Sequence, residues 1–203
     1  RIVGEGFHHE FGGPHAAVNA IRSVKDPSLF AQSTLYCNLE PCSHHGKTPP
    51  CSLLISQKGI SRVVISNQDP FPSVNGQGIR QLEDAGIEVI SGCLETEGMD
   101  VNRRFFHYIN YKRPYVILKW AQTADGFIDL EREPGDQEGP RWISNELSRT
   151  LVHKWRSEES AVMVGTNTVL TDNPRLNVRR WTGGNPVRIT LDRRGRLYDS
   201  AHM

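Results

Sequence analysis

Short apolar runs alternate with amphipathic stretches along the first half of the chain. Three runs, each rich in Val and Ile or flanked by turn residues, predict strands. These strands are 33–40, 61–67 and 86–92. Two amphipathic stretches predict helices that end at Gly59 and Gly86, which supply left-handed C-caps. These helices are 50–59 and 75–86. The β-α-β-α-β order predicts an α/β domain.

The α/β pattern restarts after a polar amphipathic stretch at 94–111. Pro114 favours extended backbone just before it, so we place a domain boundary there and predict domains 1–112 and 113–203. A helix is expected at 144–158, with Ser144 as its N-cap. The strands expected in this half are 115–121, 160–165 and 185–192. The acidic, Gly- and Pro-containing segment 130–141 predicts a surface loop.

Charge and composition narrow the possible partners. The 24 Lys and Arg nearly balance 23 Asp and Glu, so a formal net charge of +1 argues against nucleic acid. No run of 18 apolar residues occurs, and the amino end lacks the regions of a secretion signal. We therefore expect a soluble cytoplasmic protein with a small-molecule partner and no membrane contact. A start at Arg1 rather than Met raises the expectation of a longer parent protein.

One histidine and two cysteines form a candidate metal site. His15 is followed by Cys42 and Cys51, and one imidazole with two thiolates leaves a fourth tetrahedral position open, as a catalytic zinc requires. Each cysteine follows a Pro where a strand gives way to a turn or helix start, a position that favours thiolate. The alternative is that the cysteines are small buried hydrophobes and that His15 caps a helix. Cys37 and Cys93 lie in strand-like runs and are expected in the core.

The segments that carry these residues resemble a known family. "PHAAVNAI", "NLEPCSHHGKTPPC" and "SNQDPFPSVNGQGI" resemble the deaminase domain of the RibD family of bifunctional riboflavin-biosynthesis proteins, whose pattern is H-A-E followed by P-C-x-H-x-G-x-T-P-P-C. The eight-residue gap between the cysteines separates this branch from the usual C-x-x-C spacing. The resemblance implies a three-layer cytidine-deaminase-like fold whose first helix and strand, with a substrate-contacting Asn, would precede Arg1.

The family's general acid and base is the Glu two residues after the histidine, and this chain has Ala17 there. In zinc deaminases that Glu moves protons and is not a ligand. Alanine cannot do so, and a positioned acid or base contributes roughly 10²- to 10⁴-fold. We therefore expect a site that binds zinc but turns over very slowly. Because the other motif residues are intact, we interpret Ala17 as an introduced substitution, with a naturally silent site as the alternative.

Further deaminase residues follow from the resemblance alone. It implies that His44 and Lys47 contact the substrate base and phosphate and that Asp69 is another substrate-binding position. A lysine suits phosphate as a mobile point charge. Without the family, each of the three would be interpreted as a solvated surface residue.

The second half resembles the reductase domain of the same family, which is similar to dihydrofolate reductase. The matching segments are "YVILKWAQTADGFIDL", "RWISNE" and "VGTNTVLTDNPRLNVR", with Thr123 where Ser is usual. No G-x-G-x-x-G fingerprint supports a Rossmann fold. A strand running into a helix N-terminus at Thr166 and Thr168 suits phosphate, although a plain turn with Thr caps fits equally well. The domain would be incomplete in this chain.

The resemblance also implies a reductase cleft. Its cofactor-binding residues would be Lys119, Trp142, Ser144, Thr166 and Thr168. Its substrate-binding residues would be Arg156, Leu176 and Arg179, and the two guanidiniums suit a phosphate because each contacts two oxygens. Asp172 would be catalytic, positioning the sugar or assisting protonation; its alternative is an Asx-type turn.

The implied function has two steps in riboflavin biosynthesis. Zinc-dependent hydrolytic deamination of 2,5-diamino-6-ribosylamino-pyrimidinone 5′-phosphate is followed by NADPH-dependent reduction of the ribosyl group to ribityl. Zn²⁺ and NADPH are the implied cofactors, and a homo-oligomer is the implied assembly. The alternatives are a reductase-only enzyme with a relic zinc domain and a non-catalytic module that binds the phosphoribosyl pyrimidine.

Overall fold

The computed structural model describes residues 1–46, 49–132, 139–197 and 201–202. The chain divides into two compact units, Arg1–Ile117 and Leu118–Met203. The domain boundary after residue 112 stays a prediction. Each unit contains helices and parallel strands, as the alternating pattern predicts.

A three-stranded parallel sheet forms the centre of the first unit, in the order β1-β2-β3. Its strands are β1 (Thr34–Leu39), β2 (Arg62–Asn67) and β3 (Glu88–Ser91). All three predicted strands are therefore confirmed. The helices are α1 (Ala16–Ser23), α2 (Cys51–Gln57), α3 (Gln77–Asp84), α4 (Glu95–Val101) and α5 (Arg103–Tyr111), with a 3₁₀ helix at Pro27–Gln32. Gly59 and Gly86 have φ values of 68° and 79°, which confirms the left-handed helix ends.

The central strand β2 is apolar on both faces because helices cover both sides of a parallel sheet. Val63 and Ile65 are fully buried in the main core, together with residues from α1, α2 and α3. Val64 points to the opposite face, since side chains alternate along a strand, and α4 packs there against β1 and β2. The first unit thus has helix, sheet and helix layers.

The two cysteines expected in the core have different environments. Cys37 in β1 packs against the core, where burial raises the pKa of its thiol to about 12. Cys93 is exposed, so its predicted core position is wrong. It follows β3 at an edge of the sheet, where it is no longer covered.

The second unit contains a two-stranded parallel sheet of β4 (Ala161–Val164) and β5 (Val187–Thr190). Its helices are α6 (Glu146–Glu158) and α7 (Thr166–Asp172). The predicted helix at 144–158 and the predicted strands at 160–165 and 185–192 are confirmed. Each observed element is shorter than predicted by one or two residues at one or both ends.

Two expectations for this unit are wrong. No strand forms at 115–121, where Val116 is 70% and Leu118 is 78% exposed. A strand needs a hydrogen-bonded neighbour, and the described residues provide none for this segment. The N-cap of α6 is Asn145 rather than Ser144, because the Asn145 side chain accepts a hydrogen bond from the Ser148 N–H at 2.9 Å. The predicted surface loop at 130–141 lies partly outside the described residues, which omit 133–138.

Candidate metal centre and basic cleft

The imidazole of His15 lies beside two thiol groups in the first unit. His15 Nδ1 is 3.4 Å from Cys42 Sγ and 3.3 Å from Cys51 Sγ. The three ligand atoms all lie within 4.8 Å of one another. His15 occupies the N-cap position of α1, but its side chain makes no capping hydrogen bond. The structure therefore brings the three predicted ligands together.

Local sequence explains how the two cysteines meet. Cys51 is the first residue of α2, and Pro50 at the N-cap position has no backbone N–H that would need an acceptor. The free backbone N–H of Cys51 at this helix start donates to Cys42 Sγ at 3.3 Å. The next N–H, of Ser52, donates to the carbonyl of Cys42 at 3.2 Å. The start of α2 thus holds the segment that follows β1.

The pKa values of the two thiols are shifted in opposite directions. A hydrogen bond from Cys51 is the largest of several effects that lower the pKa of Cys42 to about 5, and His15 adds to it. The same hydrogen bond, together with burial, raises the pKa of Cys51. One imidazole with a thiolate and a thiol that a cation can deprotonate is a donor set for zinc rather than for magnesium or calcium.

Ala17 lies in the first turn of α1, two residues after His15. Its methyl group has no proton to donate and no lone pair to accept one. Position 17 therefore supplies no carboxylate that could move a proton beside the three predicted ligands.

The predicted substrate contacts of this unit differ in their surroundings. Asp69 is buried and its carboxylate accepts a hydrogen bond from the Phe71 N–H at 2.8 Å. Burial raises the pKa of Asp69, and the hydrogen bond from the Phe71 N–H is the largest effect that opposes that rise. His44 itself is exposed. Lys47 lies outside the described residues.

A basic cleft of about 90 Å³ lies in the second unit. Five of the predicted reductase residues line it: Lys119, Trp142, Ser144, Arg156 and Arg179. Arg149 also lines the cleft, and its guanidinium carbon lies 4.6 Å from the centre of the Trp142 ring, a cation–π contact. Burial, followed by the charge of Arg179, lowers the pKa of Arg156. Clustered guanidiniums of this kind favour a phosphate or carboxylate ligand.

His153 lines the same cleft and was not predicted from the sequence. It is 4% exposed, and its Nδ1 accepts a hydrogen bond from the backbone N–H of Arg179 at 3.2 Å. Burial lowers its pKa, and three neighbouring arginines lower it further: Arg156, Arg179 and Arg180. Both effects favour the neutral imidazole. The only signal in the sequence is its place one turn before Arg156 on the predicted helix.

Four predicted reductase residues are not among those that line this cleft. Thr166 lines a different cavity of about 400 Å³, with Leu191, Arg193, Arg194 and Arg196. Thr168 is exposed on α7, and Leu176 is buried. Asp172 ends α7, where burial raises the pKa of its carboxyl and Arg132, 3.6 Å away, opposes that rise.

Comparison with known proteins finds a matching protein domain for each of the two units. Residues 1–67 match the cytidine and deoxycytidylate deaminase zinc-binding region, and residues 114–203 match the RibD C-terminal domain. The chain therefore combines a zinc-binding, cytidine-deaminase-like domain with a dihydrofolate-reductase-like domain, which confirms the predicted fold class. Over almost its whole length the chain is similar to the RibD family of riboflavin-biosynthesis proteins.

Individual relatives support this assignment. The chain is 48% identical to riboflavin biosynthesis protein RibD of Actinobacillus pleuropneumoniae, over 94% of this chain and 49% of the relative. It is 46% identical to RibD of Aquifex aeolicus, over 95% of this chain and 52% of the relative. The chain thus spans about half the length of the curated relatives it matches.

Two solved structures are similar in fold. A diaminohydroxyphosphoribosylaminopyrimidine deaminase/5-amino-6-(5-phosphoribosylamino)uracil reductase from Thermotoga maritima matches with a TM-score of 0.84 and 47% identity, covering 96% of this chain and 54% of that one. RibD of Acinetobacter baumannii matches with a TM-score of 0.84 and 37% identity, covering 98% and 56%. Within the described parts of the chain, none of the helices is long and apolar enough to span a membrane.

Proposed function

We propose that the complete protein deaminates a diaminopyrimidinone ribosyl phosphate and then reduces its ribosyl group. The observation that carries the first step is that the ligand atoms of His15, Cys42 and Cys51 lie within 4.8 Å of one another. A zinc ion held by these three residues would keep one coordination position for water. Zinc, when bound there, supplies a Lewis acid that activates water. Water replaces the 2-amino group, which leaves as ammonia, and the ring carbon becomes a carbonyl.

Other residues of the first unit contribute to binding in this proposal. Asp69 and His44 contact the pyrimidine, and Lys47 contacts the phosphate. The position of Ala17 is where a carboxylate would take a proton from water and pass it to the leaving amine. Because alanine does neither, this chain binds zinc and substrate and deaminates very slowly.

The basic cleft supports the second step. We propose that Arg156 and Arg179 bind the substrate phosphate and that Lys119, Trp142 and Ser144 face NADPH. Thr166 and Thr168 contact the cofactor, Leu176 contacts the substrate, and Asp172 positions the sugar or assists protonation. NADPH, when bound, supplies the hydride that the sugar C1′ accepts.

Ammonia release by the complete protein tests the deaminase step. Ala17, Ala17→Glu and Ala17→Gln forms are compared at equal, assayed zinc content with the phosphorylated diaminopyrimidinone. We expect Ala17→Glu alone to gain activity, by roughly 10²-fold or more, because Gln matches its shape without its proton chemistry. Equal silence of the Glu and Ala forms with zinc bound contradicts the deaminase proposal. NADPH oxidation by the same preparations then separates a reductase-only enzyme from a binding module.

We also propose that the complete protein is a cytoplasmic homo-oligomer. The family resemblance supports this assembly. Light scattering on the complete protein tests it, and a monomeric mass rejects it.

A further inference from the structure

Glu40 is a buried acid whose charge is not balanced by a salt bridge among the described residues. It is 4% exposed and follows β1 directly. Its Oε2 accepts hydrogen bonds from the N–H groups of Asp69 at 3.1 Å and Gly76 at 2.9 Å. Its Oε1 accepts from Gly78 at 2.8 Å and Ile79 at 3.3 Å. Four backbone donors thus solvate one carboxylate, which is strongly stabilising for a buried charge.

Two of those donors belong to the first turn of α3. The N-cap of this helix is Gly76, which has no side chain to accept from the free N–H groups at the helix start. Glu40 takes over that role from a distant part of the chain. The backbone is also closely packed, since a Cβ added to Gly78 would lie 1.9 Å from the carbonyl oxygen of Pro41. The turn that leads into Cys42 is therefore fixed against α3.

The same helix reaches the metal centre a second time, through Gln81. Its Nε2 donates to the carbonyl of Ser43 at 3.3 Å, and its Oε1 lies 2.7 Å from Ser52 Oγ. Ser43 directly follows Cys42, and Ser52 directly follows Cys51. The Ser52 hydroxyl is also 3.0 Å from the carbonyl oxygen of Cys42. One amide therefore bridges the residues next to both thiols.

We propose that Glu40 and Gln81 are positioning residues of the zinc site, which act through α3 to fix the separation of the Cys42 and Cys51 sulfur atoms. The inference rests on the proposed zinc site and adds two residues that do not touch the metal. Groups behind the ligands fix their orientation, and their loss typically weakens metal affinity about 10- to 100-fold. Glu40 also fixes the backbone of Asp69, so it joins the zinc site to the proposed substrate contact.

Gln81→Met is the deciding variant because Gln81 is exposed, so the helix tolerates a side chain of similar length without the amide. Gln57→Met is its matched control, an exposed glutamine at the end of α2 that does not bridge the two cysteine segments. Zinc affinity is measured by chelator competition in the complete protein, and Co²⁺ absorption spectra are recorded at saturation. We expect Gln81→Met to weaken zinc binding by about tenfold and to shift the Co²⁺ ligand-field bands.

Glu40→Gln extends the test, with Glu88→Gln as its control at an exposed surface ion pair. The amide cannot accept at both of its polar atoms, so we expect a larger loss of zinc affinity than in Gln81→Met. Should Glu40→Gln fail to fold, Gln81→Met still decides. Affinities within about twofold of Gln57→Met and superimposable Co²⁺ spectra would overturn the inference. Failure of the unaltered protein to bind zinc would instead reject the proposed function.

Discussion

At the scale of single residues, His153 lies among the arginines of the basic cleft, and its surroundings disfavour a further positive charge there. Burial is the largest effect that opposes protonation of the imidazole. The positive charges of Arg156, Arg179 and Arg180 oppose it as well. Its Nδ1 accepts from the Arg179 N–H, which requires the neutral ring. Neutral His153 therefore fixes the backbone of Arg179 without adding to the repulsion.

The lowered pKa of His153 predicts a stability that depends on pH. Below the unfolded pKa near 6.5, the unfolded chain binds this proton more readily than the folded chain does. The free energy of unfolding should fall as the pH drops through that value and level off below the folded pKa. In His153→Gln this part of the slope should disappear.

Urea unfolding at a series of pH values checks this prediction. All four tryptophans lie in the second unit, so their fluorescence follows the unit that contains His153. His45→Gln removes an exposed imidazole and serves as the control. The same pH slope in His153→Gln as in His45→Gln would show that His153 is not the source.

Some site residues can be predicted from sequence because their side-chain type alone indicates what they bind. His15, Cys42 and Cys51 are predicted as metal ligands by type and spacing, and the structure brings their ligand atoms within 4.8 Å of one another. Glu40 and Gln81 were missed because their roles depend on partners 29 to 39 positions away. Most of the donors to Glu40 are backbone N–H groups at a helix start, which no side-chain pattern identifies.

At the scale of elements, Gly98 allows α4 to lie close to β2. It is buried in the middle of the helix, and an added Cβ would lie 2.0 Å from Ser66 Oγ and 2.2 Å from Asn67 Oδ1. Asn67 Nδ2 also donates to the carbonyl of Glu95 at 3.0 Å, so the contact joins helix and strand end. A larger residue would separate them.

Gly98→Ala should therefore destabilise the first unit although alanine favours a helix by about 1 kcal/mol over glycine. We expect a net loss of roughly 1–3 kcal/mol, the usual range for an overpacked site. Thr96→Ala, at an exposed position of the same helix, should change stability by less than about 0.5 kcal/mol. Thermal unfolding followed by circular dichroism compares the two. Equal stability of both variants would contradict close packing at Gly98.

Strand prediction succeeded where the predicted run has a hydrogen-bonded neighbour among the described residues. The runs at 33–40, 61–67 and 86–92 pair with each other, and their apolar residues enter the core. The run at 115–121 is also apolar but has no hydrogen-bonded neighbour among the described residues. Hydrophobic pattern reports a preference for burial, whereas a strand also needs a partner.

At the scale of the whole molecule, zinc binding should raise the free energy of unfolding of the protein. A ligand that binds only the folded state raises the free energy of unfolding by about 4 kcal/mol when its free concentration is 1,000 times its dissociation constant. Zinc should therefore raise the unfolding temperature, and a chelator should reverse the change. His15→Ala should abolish most of this response, because it removes one of three ligands.

Calorimetry with buffered zinc and with chelator provides the measurement. His9→Ala, which removes an exposed imidazole near the amino end, is the control. A zinc response in His15→Ala as large as in His9→Ala would place the metal elsewhere.

The order of strands in the first unit bears on how the chain assembles during synthesis. Each strand pairs with the one before it, so the sheet can extend in the direction in which the ribosome delivers the chain. The three predicted metal ligands emerge by residue 51, but α3, which fixes the turn before Cys42, begins only at Gln77. A nascent chain thus carries its thiols for some time before the scaffold that sets their spacing is complete, and during that interval they are open to oxidation or to premature metal capture.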